Sequence, residues 1–393
     1  LNILFITDGI YPFTLGGMQK HAYYLVQFFA TTKHKLTVVI TGDNYLSGED
    51  IAMKLFPKEI PDNIQFHFIP KPKVRNFPGH YLVESWMYSK RVYGAFCNQF
   101  QNFDLILAKG FTAWYFTKTK TDLMPPLVSQ LHGLEMFQPA YSLNERLVKV
   151  LMRLPAKRVI RKSDYILSYG GKIRALVKKL GKPDNQIIEQ YGGVDDYWLS
   201  EYSEILDKPI RKFLFVARFE YRKGYHILKS VLKNLNAEGH KIEIILVGEI
   251  PNMQQLNLPG IKYAGNQTAE QIKKLADECA FLLVPSLSEG FPTILVEGMA
   301  RGLVPIATNV GAVSAVVNEH TGFLIEPGSE NELKQAIIGA LTMSQNQFAK
   351  MRKAARSMVM NNFLWVKLFA VLILHLQQIT DDYRKRIIGT KPN

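Results

Sequence analysis

Short runs rich in Val, Ile, Leu and Phe alternate along this chain with stretches whose apolar residues recur every three or four positions. The runs at 3–7, 36–40, 105–108, 127–131 and 165–168 are each followed by turn chemistry or a helical pattern. That alternation predicts βα units feeding a parallel sheet buried on both faces. The rhythm halts at Tyr191-Gly192-Gly193-Val194-Asp195 and restarts with runs at 213–217, 242–247, 281–284, 304–308 and 323–325. From about residue 330 the spacing reads as helix throughout, up to about 383. The pattern therefore predicts two Rossmann-like α/β domains facing across a cleft, with ligand at the carboxyl ends of both sheets. We assign 1–190 to an N-terminal, acceptor-side domain, 191–360 to a C-terminal domain, and 361–393 to a closing helix.

Composition narrows the picture. A chain of 393 residues, 47% of them hydrophobic, can bury two cores. Cys97 and Cys279 offer neither a disulfide framework nor metal-ligand spacing. No basic leader precedes the first run, and the apolar stretch 363–379 is interrupted by Lys367 and His375. We expect no signal peptide, no membrane span and a cytoplasmic location.

The net charge of +14 sits mostly in one half: residues 1–190 hold 25 Lys/Arg against 14 Asp/Glu, and 191–393 hold 23 against 20. The first half is thus expected to meet an anionic partner. Between Arg146 and Lys182 stand 12 basic residues and one acidic residue, Asp164. Arg146, Lys149, Arg153, Lys157 and Arg161 recur at helical spacing and predict a basic face, with Leu147, Val150, Leu151 and Leu154 as the apolar side and Pro155 as a kink or break. Two readings stay open: a solvated face over a core-packing stripe, or attachment of 146–182 to an anionic cytoplasmic leaflet carrying a lipid-linked acceptor. No helix-turn-helix, zinc or aromatic-platform motif suggests nucleic acid.

The richest chemistry lies after the run at 281–284, in Ser286-Leu287-Ser288-Glu289-Gly290-Phe291-Pro292-Thr293-Ile294, continuing to Glu297. Gly290 permits close backbone approach, and Pro292 sits where a helix starts, so free amides point from the carboxyl edge of the sheet. Glu289 in the loop and Glu297 one turn into the helix can accept hydrogen bonds from two ends of one extended ligand. Arg218 and Lys223, in Arg218-Phe219-Glu220-Tyr221-Arg222-Lys223-Gly224, suit phosphate oxygens as fork and point charge. Arg222 is read as part of a solvated surface cluster. In the first domain Gly16-Gly17 precedes a helix, without the G-x-G-x-x-G spacing of a dinucleotide site. His132-Gly133-Leu134-Glu135 follows the run at 127–131, while His21 and His226 read as packed or solvent-facing histidines.

This arrangement resembles the retaining glycosyltransferases of family four, the glycosyl transferases group 1 of GT-B fold, whose signature is two glutamates separated by seven residues in an E-G-F-P…E setting. The resemblance covers nearly the whole chain. It implies that Glu289 binds donor-sugar hydroxyls, that Glu297 binds the ribose, and that the amides around Phe291-Pro292-Thr293-Ile294 support sugar and phosphate. It implies further that Arg218 and Lys223 clamp the donor diphosphate, that His132 contacts the donor sugar with Glu135 a weaker candidate, and that the last helix crosses back to the first domain. The chain departs from the family at Gly192, where an Asn is usual, at Ala312 and Ala315, where Gly and Glu are usual, and at Glu249, where Asp-Gly usually follows Gly248. The expected activity is retaining, metal-independent transfer from a nucleotide-diphosphate sugar to a hydroxyl acceptor in cell-surface polysaccharide or glycolipid synthesis, with no cofactor beyond the donor. The alternatives are a catalytically silent nucleotide-sugar-binding partner subunit and, less favoured, a phosphorylase or epimerase on the same fold.

Overall fold

The computed structural model describes every residue except 43–44, 122–123, 200–211 and 390–393, with backbone only for 387–389. Its strands are β1 (Asn2–Ile6), β2 (Lys35–Ile40), β3 (Ile64–Phe68), β4 (Leu105–Lys109), β5 (Leu127–Gln130), β6 (Tyr165–Ser168), β7 (Ile187–Glu189), β8 (Phe213–Val216), β9 (Ile244–Val247), β10 (Ile261–Gly265), β11 (Phe281–Val284), β12 (Val304–Thr308) and β13 (Phe323–Ile325). The helices are α1 (Gly17–Ala30), α2 (Gly48–Leu55), α3 (His80–Phe96), α4 (Leu143–Lys162), α5 (Gly171–Lys179), α6 (Tyr225–Ala237), α7 (Ala269–Glu278), α8 (Thr293–Ala300), α9 (Glu330–Thr342), α10 (Gln345–Asn362) and α11 (Trp365–Gly389).

Two sheets result, ordered β3-β2-β1-β4-β5-β6-β7 and β10-β9-β8-β11-β12-β13, with parallel pairing throughout. Strand order reverses between β1 and β4 and between β8 and β11, and those switch points are where ligands bind in such sheets. The chain divides into two compact units, one of Leu1–Tyr169, Ile173–Gln190 and Trp365–Asn393, the other of Gly170–Lys172 and Tyr191–Leu364.

Alternation along β1 explains why its sheet needs helices on both faces. Ile3 and Phe5 enter a core with Leu25 and Phe29 of α1 and Phe369 of α11, while Leu4 and Ile6 enter another with Tyr88 of α3 and Val159 of α4. Each such side chain contributes about 1.5–3 kcal/mol by leaving water.

Three strands escape the sequence pattern. β3, with its burial alternating, and β10, partly exposed along its length, are edge strands and lack a continuous apolar run. β7 is a three-residue edge. The helical stretch expected from 330 is broken twice. Met343 ends one helix, Ser344 caps the next through a reciprocal bond set with Gln347, and Phe363 ends that one.

The largest correction concerns α4, which runs unbroken through a buried Pro155. The side chains expected to pack on the core, Leu147, Val150, Leu151 and Leu154, are exposed, Leu154 by 76%. Lys149, expected in a solvated basic face, is buried, donates to Pro139 O at 2.6 Å and pairs with Glu145. Arg153 donates to Met136 O at 2.9 Å and Arg161 to Leu180 O at 2.8 Å. The helix meets the core through Ala156, Val159 and Ile160, a stripe between the two expected faces, and this leaves the apolar row outward. Among the described residues no helix is long and apolar enough to cross a membrane.

Candidate functional site

The site in the second unit grows from the carboxyl ends of β8 and β11. After β8 the chain makes one turn over Tyr221–Lys223 and enters α6 through Gly224 at φ +74°. A Cβ there would lie 1.9 Å from Pro285 O, so the turn sits directly against the loop that follows β11. Leu287 N donates to Arg222 O at 2.7 Å and ties the two loops together.

That tie puts Lys223 Nζ 2.6 Å from Glu289 Oε1, which also accepts from Ser286 Oγ at 2.8 Å. Arg222 approaches Glu289 Oε2 at 3.4 Å and Glu220 Oε2 at 2.8 Å, and Glu220 Oε1 pairs with Arg218 at 3.0 Å. Glu289 is 6% exposed, and a carboxylate buried so far stays ionised only with such partners. Three cations and two carboxylates leave one positive charge in surplus. Arg218 stands at the open end, its side chain 78% exposed.

The loop then delivers α8. Pro292 is its N-cap and no side chain caps it, so the amides of Thr293 and Ile294 carry no intrahelical partner and the positive end of the helix dipole is bare. Half-buried Glu297 lies one turn along. The Phe291 ring is buried beside Tyr191 and Phe363, at centroid distances of 6.2 and 5.9 Å, and anchors the loop. Gly311, at φ +55°, passes under Glu289 and Gly290, where a Cβ would come within 2.4 Å of both carbonyl oxygens.

In the first unit a second polar group lies at the carboxyl ends of β1, β4 and β5. Lys109 ends β4 fully buried and donates to His21 at 2.6 Å and Met18 O at 3.4 Å. The His21 ring meets Trp365, Phe369 and His132 edge-on at 5.1, 5.4 and 6.0 Å. His132 Nδ1 is 2.7 Å from the Tyr169 hydroxyl. Burial, reinforced by the Lys109 charge, holds both imidazoles well below the usual histidine range. Burial also lowers Lys109, against the pull of Asp8, whose own carboxyl burial raises.

Among the described residues His21 Nε2, His132 Nε2 and both side-chain ends of Gln130 are buried without a partner. His132 and Leu134 hold φ of +51° and +50°, the left-handed region that non-glycine residues seldom enter. Each orphaned group costs about 1–3 kcal/mol, and each strained residue about the same. Such costs concentrate where a polar ligand completes the arrangement. Gly16 and Gly17 open α1 beside this group, again with no side-chain cap. Among the described residues no three His, Cys, Asp or Glu gather as metal ligands.

Two family descriptions divide the sequence between them: Glycosyltransferase Family 4 matches residues 15–197 and Glycosyl transferases group 1 matches residues 201–358. The chain belongs to the group 1 glycosyltransferases of family four. This transferase is 27% identical over 338 residues to an uncharacterised glycosyltransferase of Methanocaldococcus jannaschii, across 84% of this chain and 85% of that one. It is 26% identical over 189 residues to a putative teichuronic acid biosynthesis glycosyltransferase of Bacillus subtilis, an alignment covering 46% of this chain and 48% of the relative. HepE of Anabaena, solved with UDP and glucose, has the same fold, with a TM-score of 0.68 at 18% identity over 96% of this chain and 99% of that one. Both units are therefore parallel-sheet α/β domains of the GT-B type.

Within the transferase, Arg218, Lys223, Glu289 and Gly290 to Pro292 fall on the connected loops of the second unit, Thr293, Ile294 and Glu297 fall on the α8 that follows, and His132, Gly16 and Gly17 fall in the first unit. Arg222, expected to be solvated, bridges both glutamates of the ion-pair chain and is largely buried. Glu220 and Ser286 were not singled out, because one acidic residue and one serine carry no spacing signal. Lys109 was missed for a similar reason: a lysine ending an apolar strand reads as its solvent-facing end. His21 is packed as expected, but against His132 and Lys109. His226 stacks on Tyr221 at 4.0 Å, and Glu135 is exposed.

Proposed function

We propose that this transferase moves a hexose from a nucleoside-diphosphate sugar to a saccharide hydroxyl in cell-surface polysaccharide or glycolipid synthesis, with retained anomeric configuration and without a metal ion. The observation that carries the reading is the chain Arg218–Glu220–Arg222–Glu289–Lys223, with its surplus cation. Uncapped amides of α8 belong to the same pair of loops. A departing diphosphate gains negative charge as the sugar bond breaks, and Arg218, Lys223 and the α8 amides offer preorganised positive charge to meet it. Glu289 exchanges Lys223 for sugar hydroxyls, Glu297 takes the ribose, and His132 and the Gly16-Gly17 amides contribute from the first unit. The acceptor oxygen forms its bond to C1 on the face that the phosphate oxygen leaves, and its proton passes to that oxygen. Neither a protein base nor a cofactor beyond the donor is needed, and positioning supplies much of the remaining rate. Relatives named for polysaccharide synthesis, and a structural neighbour solved with UDP and glucose, support the substrate class.

The test is transfer from UDP-, GDP- and ADP-hexoses to saccharide acceptors, with product anomers read by NMR. An α-linked donor is expected to give an α-linked product in the presence of EDTA. An inverted anomer refutes retention, and loss of transfer in EDTA with rescue by a divalent ion refutes the metal-free reading.

The outward row Leu143, Leu147, Val150, Leu151 and Leu154 of α4 favours one addition. We propose that it enters the headgroup region of an anionic cytoplasmic leaflet and brings a lipid-linked acceptor to the enzyme, as interfacial helices with basic flanks do.

A further inference from the structure

His132 and Lys109 belong to the carboxyl edge of the first sheet; the amino edge of the same sheet holds a different concentration of charge. A hollow of about 530 Å³ there is lined by Lys118, Lys120, Arg158, Arg161, Lys162 and Asp164. Among the described lining residues five cations meet one carboxylate, and that carboxylate is already engaged. Asp164 Oδ2 accepts the Leu127 amide at 2.8 Å and Oδ1 accepts Lys120 Nζ at 2.5 Å. Arg158 donates to a neutral acceptor, Thr117 O, at 3.4 Å, and Arg161 to Leu180 O at 2.8 Å. Cations gathered around one concave space repel one another, and an anion that accepts from several of them reverses that cost.

A second hollow, of about 500 Å³, shares Lys118 and Arg158 with the first and continues over Trp86, Trp114, Leu154 and Pro155. Its wall is apolar and aromatic, the two indoles meeting edge-on at 5.0 Å. The shared pair makes the basic hollow and the apolar one neighbours. α4 lines both, with Leu154 and Pro155 on the apolar side and Arg158, Arg161 and Lys162 on the basic side.

We propose that the two hollows form a single binding site for a lipid phosphate, its anionic head among Arg158, Arg161, Lys162 and Lys120 and its chain along Trp86, Trp114 and Leu154. Two guanidinium forks and three ammonium groups supply more donors than a carboxylate head can accept, whereas a phosphate can use them. The site is separate from the donor loops and does not rest on the reaction proposed for them.

The experiment titrates the full chain by calorimetry with dioctanoyl phosphatidic acid below its micelle concentration, with dioctanoyl phosphatidylcholine, and with inorganic pyrophosphate. Phosphatidic acid is expected to bind at least tenfold more tightly than either comparison ligand. Arg158→Glu with Lys162→Glu is expected to weaken it at least tenfold, and Leu154→Ser, at an exposed position, to weaken it severalfold without changing pyrophosphate binding. Equal affinity for the two lipids, or indifference to the charge reversals, overturns the site. Pyrophosphate binding as tightly as phosphatidic acid overturns the lipid and leaves a free-phosphate site. Loss of phosphatidic acid binding in Lys223→Ala, with Arg158→Glu unaffected, assigns it to the donor loops and overturns the proposal as well.

Discussion

Arg218 and Lys223 stand at opposite ends of one chain of ion pairs, and their removal has different consequences. Arg218→Ala takes away an exposed fork whose surface pair with Glu220 is worth about 0–1 kcal/mol. Turnover should fall about a hundredfold with the melting temperature unchanged. Lys223→Ala should lower turnover similarly but also cost about 3 kcal/mol, because Glu289 loses its shortest partner in a buried place. Parallel kinetics and urea titrations separate the two, and a double variant with near-normal transfer would remove the clamp altogether. The glutamates divide in the same manner. Glu297→Ala is expected to weaken binding of the free nucleoside diphosphate, while Glu289→Gln mainly slows transfer; equal loss of nucleotide affinity in both contradicts separate roles. Lys182 gives a pH signature. Burial pushes its ammonium down to about 8 in the folded chain. Unfolded, it keeps its proton to about pH 10.4, so the unfolded state binds more protons between those values and stability rises with pH across that window. Lys182→Met should flatten the rise of melting temperature between pH 8 and 10, and an unchanged slope rejects the assignment.

At the scale of elements, the buried strands could be read directly because an apolar run covered on both faces has few other interpretations. β3 and β10 could not, since an edge strand with alternating burial looks like a loop with scattered apolar residues. The candidate site of the second unit was legible for another reason: Glu289, Glu297, Arg218 and Lys223 sit at fixed spacings around strand ends. Lys109 acts through His21, a neighbour distant in sequence that spacing does not report, and Glu220, between Arg218 and Arg222, belongs to no motif. Helix α4 shows the limit of periodicity most plainly. Two faces were visible, but the stripe that meets the protein is a third, through Ala156, Val159 and Ile160, and a helical wheel does not contain the strands and helices that cover it. A liposome test of leaflet binding is best aimed at the outward row. Lys149→Glu would unpair a buried group and confuse binding with unfolding, whereas Leu147→Glu with Leu151→Glu alters exposed positions. That pair should release the enzyme from anionic vesicles in a sedimentation assay while transfer to a soluble acceptor persists. Retained sedimentation would show that the apolar row is not the contact.

For the molecule as a whole, α11 is the segment on which the first unit depends. Trp365, Phe369, Leu372, Ile373, Leu376 and Ile379 all lie in the core beneath β1 and α1. At about 1.5–3 kcal/mol each, their loss is comparable to the entire 5–15 kcal/mol stability of a typical domain. Ending the chain at Leu364 should therefore abolish the cooperative transition of the first unit, and differential scanning calorimetry would show it; an unchanged thermogram would mean the helix is dispensable.

The same connectivity sets an order of events during synthesis. α11 emerges from the ribosome only after the whole of the second unit has been made, so the first-made half remains without one wall of its core until then. Domains made in sequence ordinarily fold in sequence. Here the nascent first half would hold Leu25, Val26 and Phe29 uncovered while the second half is made, and a chaperone that recognises apolar surface would find its longest-lived target on that incomplete wall.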